Sequence, residues 1–250
     1  MQGSIVTASL QGRPFVRLYV VTADDVDALV EPVRAGVEYV FAYSLHDLGD
    51  VPGFSRQQKW TQLLRLDRSP TELLASLKKN TRYEINRTYR DEGTKIVVDD
   101  SERAESYRFY KEVKEADGVI PDIAEDFTSV RWLNAYQGEQ IITSTCWFDS
   151  GDVLRAKHIV STRKQENGNA ALVGRLTRRL FWEACLLGLD SGYRYVDLGG
   201  LDPDDPDKRG VTAFKQSFGG EMVKIFVYRY ATPYWRELSQ RELTAGRMVV

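Results

Sequence analysis

Two cysteines, two histidines and three methionines are all that this 250-residue chain carries of its scarcest chemistry. Cys146 and Cys185 lie far apart and lack metal-ligand spacing. They therefore make neither a disulfide framework nor a cysteine metal centre, and both read as core thiols of a reducing compartment. No run of about 18 apolar residues occurs, as a membrane-crossing helix would require. The amino-terminal MQGSIVTASLQGR lacks the apolar segment of an export signal. These two absences predict a cytoplasmic protein without membrane insertion. A large excess of charge is missing too, with a formal net charge of −2 and a pI near 5.9. That excludes coating of nucleic acid or anionic membrane by bulk charge and confines any basic site to a local patch. With 42% hydrophobic and 28% charged residues, the chain has the makings of one sizeable core or two small ones.

The hydrophobic pattern places strands at 15–21 and 37–43 around a helix begun by Thr22 or Asp24, then a Gly/Asp loop over 46–53 and a strand over 60–66. Ser69-Pro70-Thr71-Glu72 combines a cap, a first-turn proline and a Glu at the third position, which marks a helix start. A strand over 95–98 and helical segments over 101–117 and from Pro121 follow. Three strands at 131–136, 140–148 and 153–160 form a meander with turns at Gln137-Gly138 and at 149–152. A helix over 169–187, a strand ending at Asp197, a Gly/Asp/Pro loop, a short helix over 211–218 and a strand over 222–230 complete the order. This predicts an α/β fold with a mixed, mostly antiparallel central sheet flanked by helices. Residues 1–60 form an amino-terminal α/β extension, 61–230 a main domain and 231–250 a polar tail.

Between Lys78 and Arg90 stand five basic residues and one acid. Read as one helix from Ser69 to Gly93, the segment packs Leu74, Leu77, Thr81, Ile85 and Thr88 on one face. Lys79, Arg82, Tyr83, Asn86, Arg87 and Arg90 fall on the other. A solvated face is the plain reading, but such faces commonly alternate sign, and this one does not. Guanidiniums suit phosphate groups, so Lys79, Arg82, Tyr83 and Arg87 are candidate substrate phosphate ligands.

Two segments, SPTELLASLKKNTRYEINRTYRDEGTKI and YVDLGGLDPDDPDKRGVTAFKQSFGGE, resemble the paired signatures of the FemAB-like branch of the GNAT acyltransferase superfamily. These signatures are a basic K-N-x-R helix and a D-x-G-G … F-K-x-x-F-G-G-E segment, and the resemblance spans about residues 60–230. It implies a GNAT-like fold and amide formation, by transfer of an amino acid from aminoacyl-tRNA or an acyl group from acyl-CoA to an amine, often on a cell-envelope precursor. Relatives that build peptidoglycan bridges usually have two complete GNAT-like domains, for which the first 60 residues here are too short. This favours acyl-CoA as donor and a small, phosphorylated or nucleotide-linked amine as acceptor. An aminoacyl-tRNA-dependent ligase is the alternative, and a noncatalytic nucleic-acid-binding module is the alternative from another class.

Such chemistry needs a neutral amine, an oxyanion partner and a seat for donor phosphates. Asp197, at the expected strand end, is a candidate base or a cap of the following loop. His158 alternates with Leu154, Ala156 and Val160 and reads as a core histidine or a second candidate base. Lys215, in a helix whose stripe is Val211, Phe214 and Phe218, matches the lysine of F-K-x-x-F-G-G and is expected to meet the oxyanion or an acceptor phosphate. Gln165, Gly168, Asn169 and Ala170 fit the loose Q-x-x-G-x-A pattern of a pyrophosphate loop. The aspartates at 202, 204, 205 and 207 are interrupted by prolines, and Ala213 stands where a calcium loop needs Glu, so no metal is expected.

Overall fold

A computed structural model describes residues 6–10, 13–21, 25–91, 93–150, 152–164 and 170–237. Ten strands form one sheet: β1 (Val6–Leu10), β2 (Arg13–Val20), β3 (Tyr39–Ser44), β4 (Ser55–Arg65), β5 (Thr94–Val98), β6 (Val130–Gln137), β7 (Gln140–Asp149), β8 (Val153–Ser161), β9 (Tyr195–Leu201) and β10 (Glu221–Ala231). Their spatial order is β1-β2-β3-β10-β4-β9-β8-β7-β6-β5. Only β2–β3 and β8–β9 pair in parallel, so the mixed, mostly antiparallel sheet is the expected one. The boundary expected at residue 60 falls inside β4, and β10 runs between β3 and β4, so the sheet passes through it without a break.

The helices are α1 (Val26–Arg34), α2 (Pro70–Ser76), α3 (Lys79–Thr88), α4 (Arg103–Ala116), α5 (Ala170–Asp190) and α6 (Arg209–Gln216). Asp25 caps α1 by accepting from the Ala28 N–H. Thr22 and Asp24, the expected caps, lie outside the described residues. The helical segment expected from Pro121 reduces to one tight turn at Ala124–Phe127. The largest core lies between α5 and β6–β9, where Leu176, Leu180, Phe181, Ala184 and Cys185 are fully buried under Leu133, Trp147, Leu154 and Val196. Both cysteines are buried free thiols. The tail is not wholly polar or loose: a helical turn spans 233–237, and Trp235 is buried, stacked on Tyr39 at 5.1 Å.

The Ser69 capping box forms as expected, with Ser69 Oγ accepting from Glu72 N and Glu72 Oε2 accepting from Ser69 N. The helix does not run on to Gly93, however. It stops at Ser76, because Leu77 and Lys78 turn extended and the Lys78 N–H donates to Ser217 O at the end of α6. A new helix starts at Lys79, and the break resets the phase. Leu73 is buried where Leu74 was expected, while Leu77, Thr81, Ile85 and Thr88 keep the inner face. Gly219 of the second signature lets the end of α6 meet this junction, since at φ +72° a Cβ there would lie 3.2 Å from Ser76 O. Gly220 has φ +75°, and a Cβ there would lie 2.4 Å from Leu63 O; no other residue fits that backbone approach.

Candidate active site

The parallel pairing of β8 with β9 covers only Val153–Arg155 against Tyr195–Asp197. Beyond it β8 runs on to Ser161 and β9 to Leu201, so the two strands diverge and the β8 edge is left without a partner strand on that side. The gap opens into a groove of about 790 Å³. Its walls are β8 (156–161), the end of β9 (198–200), α5 at Gly174, Thr177 and Arg178, α6 at Val211, Phe214 and Lys215, and Phe41, Tyr43 and Lys59 from the amino-terminal strands. A bulge sharpens the divergence. Cys146 pairs with His158 and Trp147 with Ala156, so Lys157 is an extra residue in β8.

Asp197 sits at the point of divergence. It is inside β9, not at its end, and fully buried. One carboxylate oxygen accepts from the Thr61 hydroxyl and from Gly199 N at 2.8 Å. The other accepts from Arg155 Nη1 and from Tyr19 OH at 2.6 Å. Arg155 also stacks on the Tyr43 ring at 3.8 Å. Burial works against the Arg155 charge, but the adjacent Asp197 more than offsets it, and the guanidinium stays firmly protonated. Both lone-pair sets of Asp197 are thus engaged, and the carboxylate ties β2, β4, β8 and β9 together. A buried carboxylate held this way is an anchor and not a free base.

Lys215 is 7% exposed on the inner face of α6. The expected stripe was Val211, Phe214 and Phe218. Val211 is instead 50% exposed at the groove, and Thr212 and Lys215 take the buried positions. The Lys215 ammonium donates to Gly200 O at 2.8 Å. Gly199, at φ +82°, leaves room for it, since a Cβ there would lie 3.3 Å from Lys215 Nζ and 3.1 Å from Ala156 O. Burial lowers the Lys215 pKa to about 8, with Arg155 adding to the effect and Asp197 opposing it. The result is a desolvated cation on the groove floor.

His158 lines the same groove. Its Nε2 lies 2.7 Å from Asp122 Oδ2, which also takes Lys157 Nζ at 2.6 Å. Burial lowers the His158 pKa to about 4, although the bond to Asp122 works the other way. Although burial pushes the Asp122 carboxyl up, His158 and Lys157 hold it well below the usual range. With Asp122 ionised, the neutral imidazole carries its proton on Nε2 and donates it.

The four expected phosphate ligands do not reach the groove. Lys79, Tyr83 and Arg87 are exposed on α3, and Arg82 Nη1 is spent on Ala75 O at 2.6 Å, closing the end of α2. Gln165, Gly168 and Asn169 lie outside the described residues, and Ala170 begins α5. Among the described residues no group of three or more His, Cys, Asp or Glu could hold a metal ion, and no helix is long and apolar enough to cross a membrane. Sequence reasoning missed Tyr19, Thr61, Arg155 and Arg178. Arg155 alone left a signal, a charge at an inward position of the apolar strand VLRAKHIV.

No family model and no curated protein sequence matches the chain. Solved structures do. The crystal structure of FemX superposes with a TM-score of 0.56 at 12% identity, over 96% of this chain and 86% of that one. The chain shares the fold of FemX. The C-terminal domain (DUF2156) of a protein described as a lysylphosphatidylglycerol synthetase from Agrobacterium fabrum gives 0.53 at 13% identity, over 95% of this chain and 84% of that one. L-PGS from Bacillus licheniformis gives 0.51 at 13% identity, over 100% and 87%. The likeness of fold therefore spans nearly the whole chain and not only the region that carries the two signatures.

Proposed function

We propose that the protein is an N-acyltransferase that joins the acyl group of acyl-CoA to the amine of a phosphorylated or nucleotide-linked cell-envelope metabolite. The observation that carries this reading is the β8–β9 divergence, with a desolvated Lys215 ammonium on the floor of the groove it opens. Free strand-edge groups on β8 suit an extended donor arm. Lys215 is the catalytic residue of this reading: its ammonium faces the acyl oxygen as that oxygen gains charge, in a site where water competes little. The amine nitrogen attacks, the C–N bond forms, the bond from carbon to the donor sulfur breaks, and the proton shed by nitrogen ends on the departing thiolate. Asp197 acts through Arg155 and the Gly199 turn as a positioning residue. Asp122 holds His158 in place, and neither group serves as base.

Donor phosphates fit the α5 end of the groove. There the Arg178 Nε is buried without a hydrogen-bond partner, and Arg163 and Lys114 stand nearby among the lining residues. The exposed stripe of Lys79, Tyr83 and Arg87 favours a second reading, an aminoacyl-tRNA donor, because a long polyanion can touch both the groove and α3. Thermal shift with coenzyme A, acetyl-CoA and longer acyl-CoAs, beside retention of charged tRNA, separates the two. Native-state ligands raise stability by mass action. Stabilisation by acyl-CoA supports the first reading; its absence, with charged tRNA retained, moves the donor to the second.

A further inference from the structure

Among the described residues the groove holds no buried, unengaged base, and this bears on which amine it accepts. The inference rests on the acyl-transfer reading above. Asp197 accepts from four donors, and Asp122 is held by Lys157 and His158. Asp117 accepts from Lys164, and Asp207 lies exposed on the loop after β9. His158 is neutral, and with a pKa near 4 it is too weak a base to take a proton from an ammonium at neutral pH. Against this stand eight basic and two acidic side chains among the described lining residues. Arg155, Lys157 and Lys164 have carboxylate partners. Donor phosphates would neutralise the cations at the α5 end, which leaves Lys59 and Lys215 around the acceptor. An entering ammonium meets like charge there, and like charge favours its neutral form.

We infer that the acceptor is an anionic primary amine of the α-amino type, such as the amino end of an acidic peptide, and that the groove's cations, with no buried general base among the described residues, keep it neutral for attack. An α-amino group titrates near 8 and a lysine-type amine near 10.4, so at pH 7.5 the neutral fraction of the former is larger by roughly a hundredfold. The anion on the acceptor is drawn to the cationic groove and brings the amine in. The neutral nitrogen bonds to the acyl carbon, the carbon–sulfur bond breaks, and the nitrogen's surplus proton leaves with the thiol.

The test uses the purified full chain and acetyl-CoA, with Asp-Gly, glycinamide, Nα-acetyllysine and cadaverine as acceptors. The expected result is a kcat/KM for Asp-Gly at least tenfold above that for Nα-acetyllysine at pH 7.5. The ascending limb of each profile should follow the pKa of the acceptor itself, while the descending limb, set by Lys215, stays the same for all acceptors. Lys59→Glu should narrow that preference at least threefold while the thermal shift given by acetyl-CoA stays unchanged. Equal or better use of Nα-acetyllysine, no acylation of Asp-Gly by protein that acetyl-CoA stabilises, or an ascending limb fixed at one pH for all acceptors overturns the inference and leaves the donor assignment standing. No stabilisation by acetyl-CoA removes that donor assignment, and this inference with it.

Discussion

The α3 stripe and the β8–β9 groove are both basic, and they are built in opposite ways. The stripe is contiguous in sequence, exposed, and partly spent on its own scaffold, since Arg82 closes α2. The groove draws its cations from β4, α4, β8, the turn at Thr162–Lys164, α5 and α6, segments that meet only in the folded sheet. A charge in water costs little and signifies little. A charge held under a helix with one carbonyl partner, like Lys215, costs folding energy that a functional role can explain. On the proposed reading, charge density along the chain points away from the catalytic groove, and desolvation points to it.

The sharpest way to break this contrast is Lys215→Met. Met keeps the stem and its packing beside Phe214 while the charge is lost. Turnover should fall by more than tenfold, equivalent to about 2–4 kcal/mol in the transition state if Lys215 serves as an oxyanion donor. A kcat/KM within twofold of wild type would remove Lys215 from the site. The variant also reports on linkage. The folded Lys215 pKa, about 8, lies below its unfolded value of 10.5. Between these values the unfolded state binds more protons, so wild-type stability should gain with pH across pH 8–10.5, by at most about 1.4 kcal/mol per unit. Urea melts across that window should show the gain in wild type and not in Lys215→Met.

Arg178→Ala should have the next largest effect. The buried Nε has no partner among the described residues, a cost that offsets the loss of the Nη1 bond to Gly174 O, so the variant's stability should change little. The apparent KM for acyl-CoA should rise about tenfold, the scale of one lost charge-assisted phosphate contact. An unchanged KM would place the donor phosphates elsewhere. Arg82→Ala should reverse that pattern: unchanged kinetics with a stability loss of about 0.5–1.5 kcal/mol in a denaturant melt, from the lost bond to Ala75 O. A kinetic defect at full stability would return Arg82 to the site.

Local rules made some of this legible in advance. The Ser69 capping box and the meander follow from patterns a few residues wide, and each forms as read. The break at Leu77-Lys78 does not, because its cause is Ser217 O, well over a hundred residues away. Asp197 was visible as a carboxylate near a turn, but its engagement by Tyr19, Thr61 and Arg155 depends on three other strands. Lys157 enters the groove through a bulge, and nothing in VLRAKHIV marks where the extra residue falls. Glycine was the better guide. Gly199 and Gly220 stand in the second signature because a Cβ would collide at the groove floor and at β4.

The smallest expected effect sharpens the comparison most, because it depends on the donor. The double variant Lys79→Ala, Arg87→Ala changes two exposed side chains on α3, neither of which lines the groove. Alanine has the higher helix propensity, so stability should move by less than about 0.5 kcal/mol. With acyl-CoA as donor the ligand is short enough to stay within the groove, and kcat/KM should remain within twofold of wild type at any salt concentration. With an aminoacyl-tRNA donor the same two charges would release counterions from the nucleic acid. The variant would then bind charged tRNA more weakly, and the slope of log affinity against log salt would fall by nearly two. Measuring that slope for wild type and variant, beside the acyl-CoA kinetics, decides whether the stripe is a solvated face or a second half of the donor site.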